Sequence, residues 1–576
     1  MLLYCHMVVF DEDKQNTRMK KLLLDEEEAA MQMLAEKYSV TYIDLTTVSI
    51  NSDGLKLIEE KTARESLVAI FDIVGTKISI AVHSPESNDT KDVLDTLERS
   101  GYKATVFIAS IHSLEKAWER YKDINFATET EAGSLDISNE EIESLVQRTK
   151  NLEDISKWIA EALEMKKTHR VSKMLSIVMA GALSTKSSDV HIEAGELKAR
   201  LRYRIDGVLT TVSEFDKETY ELTLSRIKLL SGLKLNIKEN AQDGRFTVKI
   251  KNTDIEIRTS TIPGSYGESV VMRILNPESI MVTMDKLGMS KRFLEAVRKE
   301  IARPNGLILT TGPTGSGKTT TLYAFLREVS NPEYKIITIE DPVEYHLPGI
   351  VQTQVEESKG YTFEAGLKSA MRQDPDIIMV GEIRDAETAI TAINAALTGH
   401  LVFSTLHTNN AAGTFTRLID LGADPKTLTS AIHAAIAQRL VRVICDKCRK
   451  KVPIPTERVA LVDDVLESIK NMEEGKEFIE KPTEIYIPVG CEACNNTGYF
   501  DRIGIHELIL TDASIEKIVR ENPSEREIKA VAKKQGFMDM RQDGVVKVLQ
   551  GITSFDELER VIDLAKDDFI EETPLV

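Results

Sequence analysis

Runs of apolar residues separated by amphipathic stretches extend over the second half of the chain. After Val282, four such runs have strand-like sequences, and helical patterns lie between them. Parallel strands that are covered on both faces have this continuous apolar character, and helices connect them. We therefore predict a doubly wound parallel α/β sheet from Val282 onward, with strands at 306–311, 336–339, 376–380 and 401–405.

The first half of the chain predicts two smaller α/β regions. The first combines a helix at Asp25–Tyr38 with strands at 40–45, 68–71 and 78–82. The second extends from Arg170 to about Leu275 and alternates helices with strands at 197–205 and 246–262. Between the two regions, segment 127–141 is acidic and has little apolar surface to bury, which predicts a flexible linker.

These patterns divide the chain into five parts. The residues beyond Ala565 are acidic and are predicted to be frayed. The parts are an N-terminal domain at 1–126, a linker and helix at 127–166, a second N-terminal domain at 167–277, a core at 278–566 and a tail at 567–576.

The first strand of the core leads into a phosphate-binding sequence. A strand, then Gly-x-x-x-x-Gly-Lys-Thr, then a helix is the full context of a P-loop. Backbone N–H groups and the helix N-terminus bind phosphate oxygens, Lys318 would contact the β- and γ-phosphates, and Thr319 would contact Mg²⁺. We predict ATP and Mg²⁺ as ligands. The candidate nucleotide-binding residues are Gly312, Pro313, Thr314, Gly315, Ser316, Gly317, Lys318, Thr319 and Thr320.

Polar segments follow the other three core strands at 340–344, 381–385 and 406–409. Ligands bind at the carboxyl ends of the strands in an open α/β sheet. ATP hydrolysis needs a carboxylate for Mg²⁺, a group that orients or deprotonates water, and a polar sensor of the γ-phosphate. The pattern places such groups here, but by itself it leaves the choice among Glu340, Glu344 and Glu382 open.

These segments resemble the signature motifs of the motor ATPases of type IV pilus assembly and type II secretion. Thr338–Glu344 is similar to the aspartate box of that family, Met379–Glu382 to its atypical Walker B motif, and Ser404–Asn409 to its histidine box. The match extends almost unbroken from Pro304 to Arg442. The resemblance implies a RecA-like core.

The resemblance also assigns roles to three side chains. It implies that Glu344 is the catalytic carboxylate for water, that Glu382 holds or orients Mg²⁺, and that His407 senses the γ-phosphate. It further implies a homo-hexamer.

The domain before the core is rich in arginine. Strand 200–205 places arginines on one face and ends in an Asp-Gly turn. For any single arginine, a solvated sheet face is the simpler interpretation. Taken together, the segments resemble the second, PAS-like N-terminal domain of the same family, which implies arginines supplied to the phosphates of a neighbouring subunit. Arg258 and Arg273 match those positions best, and Arg245 matches less well.

Four of the five cysteines form two Cys-x-x-Cys pairs separated by 42 residues. This spacing is typical of a structural Cys₄ zinc site, and we predict Zn²⁺ as a ligand. The alternative is four free thiols in unrelated turns. The surrounding sequence, 441–500, resembles the zinc-binding insertion of the assembly and secretion branches of the family. The candidate ligands are Cys445, Cys448, Cys491 and Cys494.

Residues 30–100 loosely resemble the first N-terminal domain of assembly-type motors, which implies docking onto a membrane partner. Some members of the family bind a cyclic dinucleotide there through Arg-Leu-Gly motifs. This chain contains no Arg-Leu-Gly sequence, so we do not predict that ligand.

Composition narrows the function further. The net charge of −19 argues against broad nucleic-acid or anionic-lipid binding, and no apolar run is long enough to insert in a membrane. We therefore expect a cytoplasmic hexamer that drives pilin or pseudopilin polymerisation and is held at the inner membrane by platform and docking proteins. The alternatives are a nucleic-acid motor on the same core and a nucleotide switch that does not hydrolyse ATP.

Overall fold

The computed structural model describes residues 26–121 and 139–565, apart from 49, 56, 59, 75, 76, 100, 166, 251, 252, 278–281 and 479. The chain divides into two compact units, Met1–Ala132 and Gly133–Val576. The predicted tail at 567–576 and positions 127–138 of the predicted linker lie outside the described residues.

The N-terminal unit contains a four-stranded sheet in the order β1-β4-β3-β2. Its strands are β1 (Thr41–Tyr42), β2 (Val68–Val74), β3 (Lys77–Val82) and β4 (Lys103–Ile108). Its helices are 26–38, Ser52–Leu55, Glu60–Glu65, Asn88–Arg99 and Ile111–Trp118. The strand predicted at 40–45 is shorter because Asp44 begins a turn, in which its carboxylate accepts a 2.9 Å hydrogen bond from the Thr46 N–H.

The second unit begins with helices that cover an antiparallel six-stranded sheet in the order β7-β6-β5-β10-β9-β8. The strands are β5 (Asp189–Ala194), β6 (Lys198–Ile205), β7 (Val208–Asp216), β8 (Gln242–Ile250), β9 (Thr253–Ile262) and β10 (Ser269–Leu275). The helices are Asn139–Arg148, Leu152–Leu163, Lys167–Ser184 and Lys217–Leu230. The expectation that linker extends to Glu141 is wrong at its end, because a helix begins at Asn139. This helix buries Ile142 and Leu145 in the core of the domain, and the Glu141 carboxylate accepts a 2.7 Å hydrogen bond from Lys173.

The core sheet has seven strands in the order β13-β12-β14-β15-β11-β16-β19. The first six are parallel, and β19 pairs antiparallel with β16. The strands are β11 (Gly306–Thr311), β12 (Ile336–Glu340), β13 (Val351–Gln354), β14 (Ile377–Val380), β15 (Leu401–Leu406), β16 (Ile432–Ile444) and β19 (Tyr499–Leu510). A separate two-stranded antiparallel sheet of β17 (Lys450–Pro453) and β18 (Glu484–Ile487) lies between β16 and β19 in the sequence.

Helices cover both faces of the core sheet, so the central strands are buried throughout, as the continuous apolar runs predict. They are Lys291–Ile301, Lys318–Val329, Phe363–Met371, Ala386–Leu397, Ala412–Asp420, Pro425–Ala431, Thr456–Ile469, Ala513–Val519, Glu525–Ala532, Met540–Leu549 and Phe555–Val561. Within the described ranges, no helix combines the length and apolar character needed to cross a membrane.

Candidate functional site

The phosphate loop, residues 312–319, connects β11 to the helix Lys318–Val329. Gly317 has a φ of 88° at the start of that helix, a left-handed conformation that favours glycine. The Lys318 ammonium donates a 2.7 Å hydrogen bond to the carbonyl oxygen of Gly312, so the side chain folds over the loop. Burial lowers the pKa of Lys318 to about 8; the nearby charge of Arg439 also lowers it, and Glu382 opposes the shift.

Glu382 and His407 meet at the carboxyl edge of the core sheet. They follow the adjacent parallel strands β14 and β15, and His407 Nε2 lies 3.1 Å from a carboxylate oxygen of Glu382. Arg384 Nε donates to the other oxygen of that carboxylate at 2.8 Å. Since β14, β15 and β11 are neighbouring parallel strands, the phosphate loop after β11 lies at the same edge of the sheet as these two groups.

Glu340, which ends β12, and Glu344, which follows it, differ in accessibility. Glu340 is 3% exposed, and its carboxylate accepts hydrogen bonds from Tyr323 and Thr338 at 2.5 Å and from Gln352 at 3.1 Å. The Glu344 side chain is 30% exposed. A carboxylate that already accepts three hydrogen bonds in the interior is poorly placed to take a proton from water, so the burial pattern favours Glu344 over Glu340 as the base.

A row of charged side chains crosses the sheet of the second domain. Neighbours in the strand register share a sheet face, and the register places Arg245 opposite Arg258, Arg258 opposite Arg273, Arg273 opposite Asp189, and Asp189 opposite Arg204. We call these five residues the arginine row. Local alternation places each arginine on this face, but the register alone brings them into one line.

The arginine row touches the segment after β12. Arg258 donates to the carbonyl oxygen of Val343, and its Nη1 lies 3.6 Å from a carboxylate oxygen of Glu344. Arg273 donates to Asp189 at 3.0 Å. Burial would lower the pKa of Arg273, but the bond to Asp189 and the charges of Asp189 and Glu344 raise it.

The contact between Arg258 and Glu344 lies within one chain. The resemblance implied arginines that serve a neighbouring subunit, whereas this structure brings Arg258 to the aspartate box of its own chain. The sheet that carries Arg258 precedes the core in the same chain. The arrangement therefore favours an arginine supplied in cis.

The four predicted cysteine ligands converge in the second unit. Their sulfur atoms all lie within 4.8 Å of one another. The separations are 4.0 Å for Cys445 and Cys491, 3.8 Å for Cys448 and Cys494, and 3.7 Å for Cys491 and Cys494. A tetrahedral Zn²⁺ with Zn–S bonds of about 2.3 Å places sulfur atoms ~3.8 Å apart, so the cluster fits zinc.

Backbone N–H groups donate hydrogen bonds to the sulfur atoms of two of the cysteines. Gly490 N donates to Cys448 Sγ at 3.3 Å, and Gly498 N donates to Cys494 Sγ at 3.3 Å. Burial would raise the pKa of Cys494, but hydrogen bonds from Cys491 and Gly498 outweigh it, so the pKa lies below its ordinary value. Zinc binds thiolates, so the lowered pKa of Cys494 favours the metal at this position, whereas burial raises the pKa of Cys445 to about 11 and opposes it.

The chain matches a known protein family over most of its length. The type II/IV secretion system protein family matches residues 164–560. The chain belongs to this family. Type II secretion system protein E of Aeromonas hydrophila is 42% identical over 392 residues, which cover 68% of this chain and 75% of the relative. The type IV pilus assembly ATPase PilB of Myxococcus xanthus is 35% identical over 557 residues, which cover 95% of this chain and 94% of PilB.

Among solved structures, the Legionella pneumophila ATPase DotB is similar with a TM-score of 0.48 and 22% identity, covering 67% of this chain and 94% of DotB. Membership of the secretion ATPase family identifies the chain as an ATP-hydrolysing enzyme, which implies the use of ATP and Mg²⁺. The prediction of an α/β fold with a RecA-like core is confirmed.

Sequence reasoning missed Gln438 and Arg439 of β16. Both are buried, and both contact loops at the nucleotide-binding edge. Glu507 of β19 was also missed; burial raises its pKa to about 7, and it accepts a 3.1 Å hydrogen bond from the N–H of Ala411. The sequence signal that could have identified these three residues is a polar side chain within an otherwise apolar strand.

We expect the purified protein to contain about one Zn²⁺ per chain, because four thiolates complete a tetrahedral site. Cys491→Ser should lose the metal and lower the melting temperature of the insertion, while ATP binding is retained. Metal analysis and thermal unfolding measure these effects. Cys5→Ser, which removes the remaining cysteine, is the matched control and should keep its zinc. Metal-free wild-type protein, prepared without chelator, would contradict the prediction.

Proposed function

We propose that this family member is a hexameric cytoplasmic motor that uses ATP hydrolysis to drive assembly of a type IV pilus or a type II secretion pseudopilus at the inner membrane. One observation supports ATP hydrolysis at this site. The phosphate loop, Glu382 and His407 lie at one edge of the core sheet, and Arg258 lies beside Glu344. These are the parts that phosphoryl transfer to water requires.

The proposed roles follow from position and charge. The phosphate loop binds the phosphates through backbone N–H groups and Lys318, while Thr319 and Glu382 would hold Mg²⁺. When bound, Mg²⁺ neutralises charge that develops on the phosphate oxygens. Glu344 accepts a proton from the attacking water, since its carboxylate is accessible.

The remaining side chains respond to the γ-phosphate. His407 is half-exposed, and its 3.1 Å contact with Glu382 orients the imidazole. Arg258 and Arg273 add positive charge from the second domain, which stabilises the charge that spreads over the transferred phosphoryl group. Loss of the γ-phosphate would remove contacts that both domains make with the nucleotide. Hydrolysis could therefore move one domain relative to the other.

The names of the relatives support a role in a pilus or secretion machine. One is named a type IV pilus assembly ATPase and another a type II secretion system protein. We propose that this chain likewise works with inner-membrane platform and docking proteins, with residues 1–126 as the docking domain and residues 441–500 as the zinc insertion.

ATPase activity per chain is expected to rise with protein concentration as hexamers form. Mass measurement by light scattering at each concentration should show the hexamer in parallel with activity. Double-stranded DNA should leave the rate unchanged, because a chain with a charge of −19 has a weak electrostatic attraction to nucleic acid. A fully active monomer would contradict the assembly, and strong DNA stimulation would favour the nucleic-acid motor.

A further inference from the structure

Gln438 and Arg439 are consecutive residues of β16 that lie beneath two loops of the ATPase site. β16 pairs in parallel with β11, and Ala437 lies opposite Thr311, the last residue of β11. The next two residues of β16 therefore lie where the neighbouring strand has become the phosphate loop. Gln438 is 2% exposed and Arg439 is 8% exposed.

The Gln438 amide links the phosphate loop to the helix that follows it. Its Nε2 donates to the carbonyl oxygen of Ser316 at 2.7 Å, and its Oε1 accepts from the hydroxyl of Thr321 at 2.7 Å. The approach is close, since a Cβ on Gly317 would lie 2.7 Å from this Nε2, and the φ of 88° at Gly317 favours glycine as well. One planar side chain thus fixes the shape of the surface that receives the phosphates.

Arg439 reaches the loop that carries His407. Its Nη2 donates to the carbonyl oxygen of Asn409 at 3.0 Å, and its Nη1 donates to the carbonyl oxygen of Gln438 at 3.0 Å. We call residues 407–411 the histidine loop. The planar guanidinium holds two carbonyl oxygens in a defined relation, which a lysine ammonium cannot reproduce.

A second set of contacts holds the same loops on the side of β11. The Thr311 hydroxyl lies 2.7 Å from the Thr408 hydroxyl and accepts a 2.8 Å hydrogen bond from the Thr408 N–H. Thr311 directly precedes the phosphate loop, and Thr408 directly follows His407. Arg439 bonds the histidine loop to Gln438, and Gln438 bonds the phosphate loop, so β16 adds a second connection between the two loops.

We propose that Gln438 and Arg439 are positioning residues for ATP hydrolysis, with Gln438 acting through the phosphate loop on nucleotide binding and Arg439 acting through the histidine loop on turnover. The inference rests on the proposed function, in which His407 acts at the γ-phosphate. Rate depends steeply on such placement, since a shift of about 1 Å can cost about 10²-fold.

Steady-state kinetics of Arg439→Gln test the second half of this proposal. We expect kcat to fall about 10²-fold, with KM for ATP changed by less than about three-fold. Arg439→Lys keeps the charge but not the two-pronged donor, and it should recover only part of the rate. Arg541→Gln is the matched control, because Arg541 also donates to a main-chain carbonyl oxygen, that of Leu564 at 3.2 Å; its kcat should stay at the wild-type value.

Gln438→Leu tests the first half. It removes both amide hydrogen bonds at similar volume, so KM and the dissociation constant of an ATP analogue should rise about ten-fold or more. The fall in kcat should be smaller than in Arg439→Gln. Equal effects of the two variants on KM and kcat would overturn the division of roles. Thermal unfolding confirms that rates are compared between folded proteins.

A double-mutant cycle separates positioning from a merely structural role. If Arg439 acts through His407, then Arg439→Gln combined with His407→Ala should turn over no more slowly than His407→Ala alone. If the double variant loses kcat by the product of the two single losses, the proposal is overturned. A wild-type rate in His407→Ala would contradict the proposed function of His407 itself, whereas a slow His407→Ala beside a fully active Arg439→Gln would contradict the positioning role alone.

Discussion

Glu344→Gln is expected to abolish most ATP hydrolysis while ATP binding is retained. The substitution removes the proposed base but preserves size, and loss of general-base catalysis costs about 10²–10⁴-fold. Lys318→Ala should differ from it, because the variant loses the ammonium that folds over the phosphate loop, and so loses both binding and turnover. Phosphate release at saturating ATP and binding of a fluorescent ATP analogue measure the two effects.

The control for this experiment is Glu333→Gln, which changes an exposed glutamate in the turn before β12 and should leave turnover unchanged. Glu340→Gln is informative as well. Because its carboxylate accepts hydrogen bonds from Tyr323, Thr338 and Gln352, its main effect should be a lower melting temperature. Hydrolysis at the wild-type rate by Glu344→Gln would show that another carboxylate serves as the base.

Arg258→Ala is expected to have an equally large effect. An arginine that stabilises the transferred phosphoryl group contributes about 10³–10⁵-fold to the rate. Arg258 lies 3.6 Å from Glu344, so its removal takes a positive charge from the edge where the water is activated. The rate of phosphate release at saturating ATP measures the loss. Arg200→Ala, which removes an exposed arginine paired with Glu214 at 3.3 Å on the same domain, is the control and should be close to wild type.

Mixing two inactive chains then decides which subunit supplies the arginine. The structure places Arg258 beside Glu344 of the same chain. A mixture of Lys318→Ala and Arg258→Ala chains should therefore stay inactive, because neither chain has both groups. Restored activity in mixed assemblies would show that the arginine comes from the neighbouring subunit, as the family resemblance first suggested. The ATPase rate of either variant mixed with wild-type protein shows whether subunits exchange between assemblies.

Local sequence was sufficient wherever one element carries the information. The phosphate loop between β11 and its helix, the buried strands of the core and the spacing of the cysteine pairs are all short-range patterns. The predicted boundary between linker and helix was wrong where a contact with a distant part of the chain stabilises the helix, because local composition does not show such contacts. Helix Asn139–Arg148 begins inside a segment expected to be linker, because Ile142 and Leu145 pack into the core of the following domain.

The sequence by itself determined the α/β class, the ATPase family motifs and a set of polar groups at three strand ends. Only the tertiary structure decided which of them are accessible and which meet. Glu340 and Glu344 have similar local surroundings in the sequence, yet the first is buried in hydrogen bonds and the second faces Arg258. Arg258 and Val343 are 85 positions apart, and Ser316 and Gln438 are 122 apart. Such contacts depend on how strands from separate segments are ordered in a sheet, and no local periodicity encodes that order.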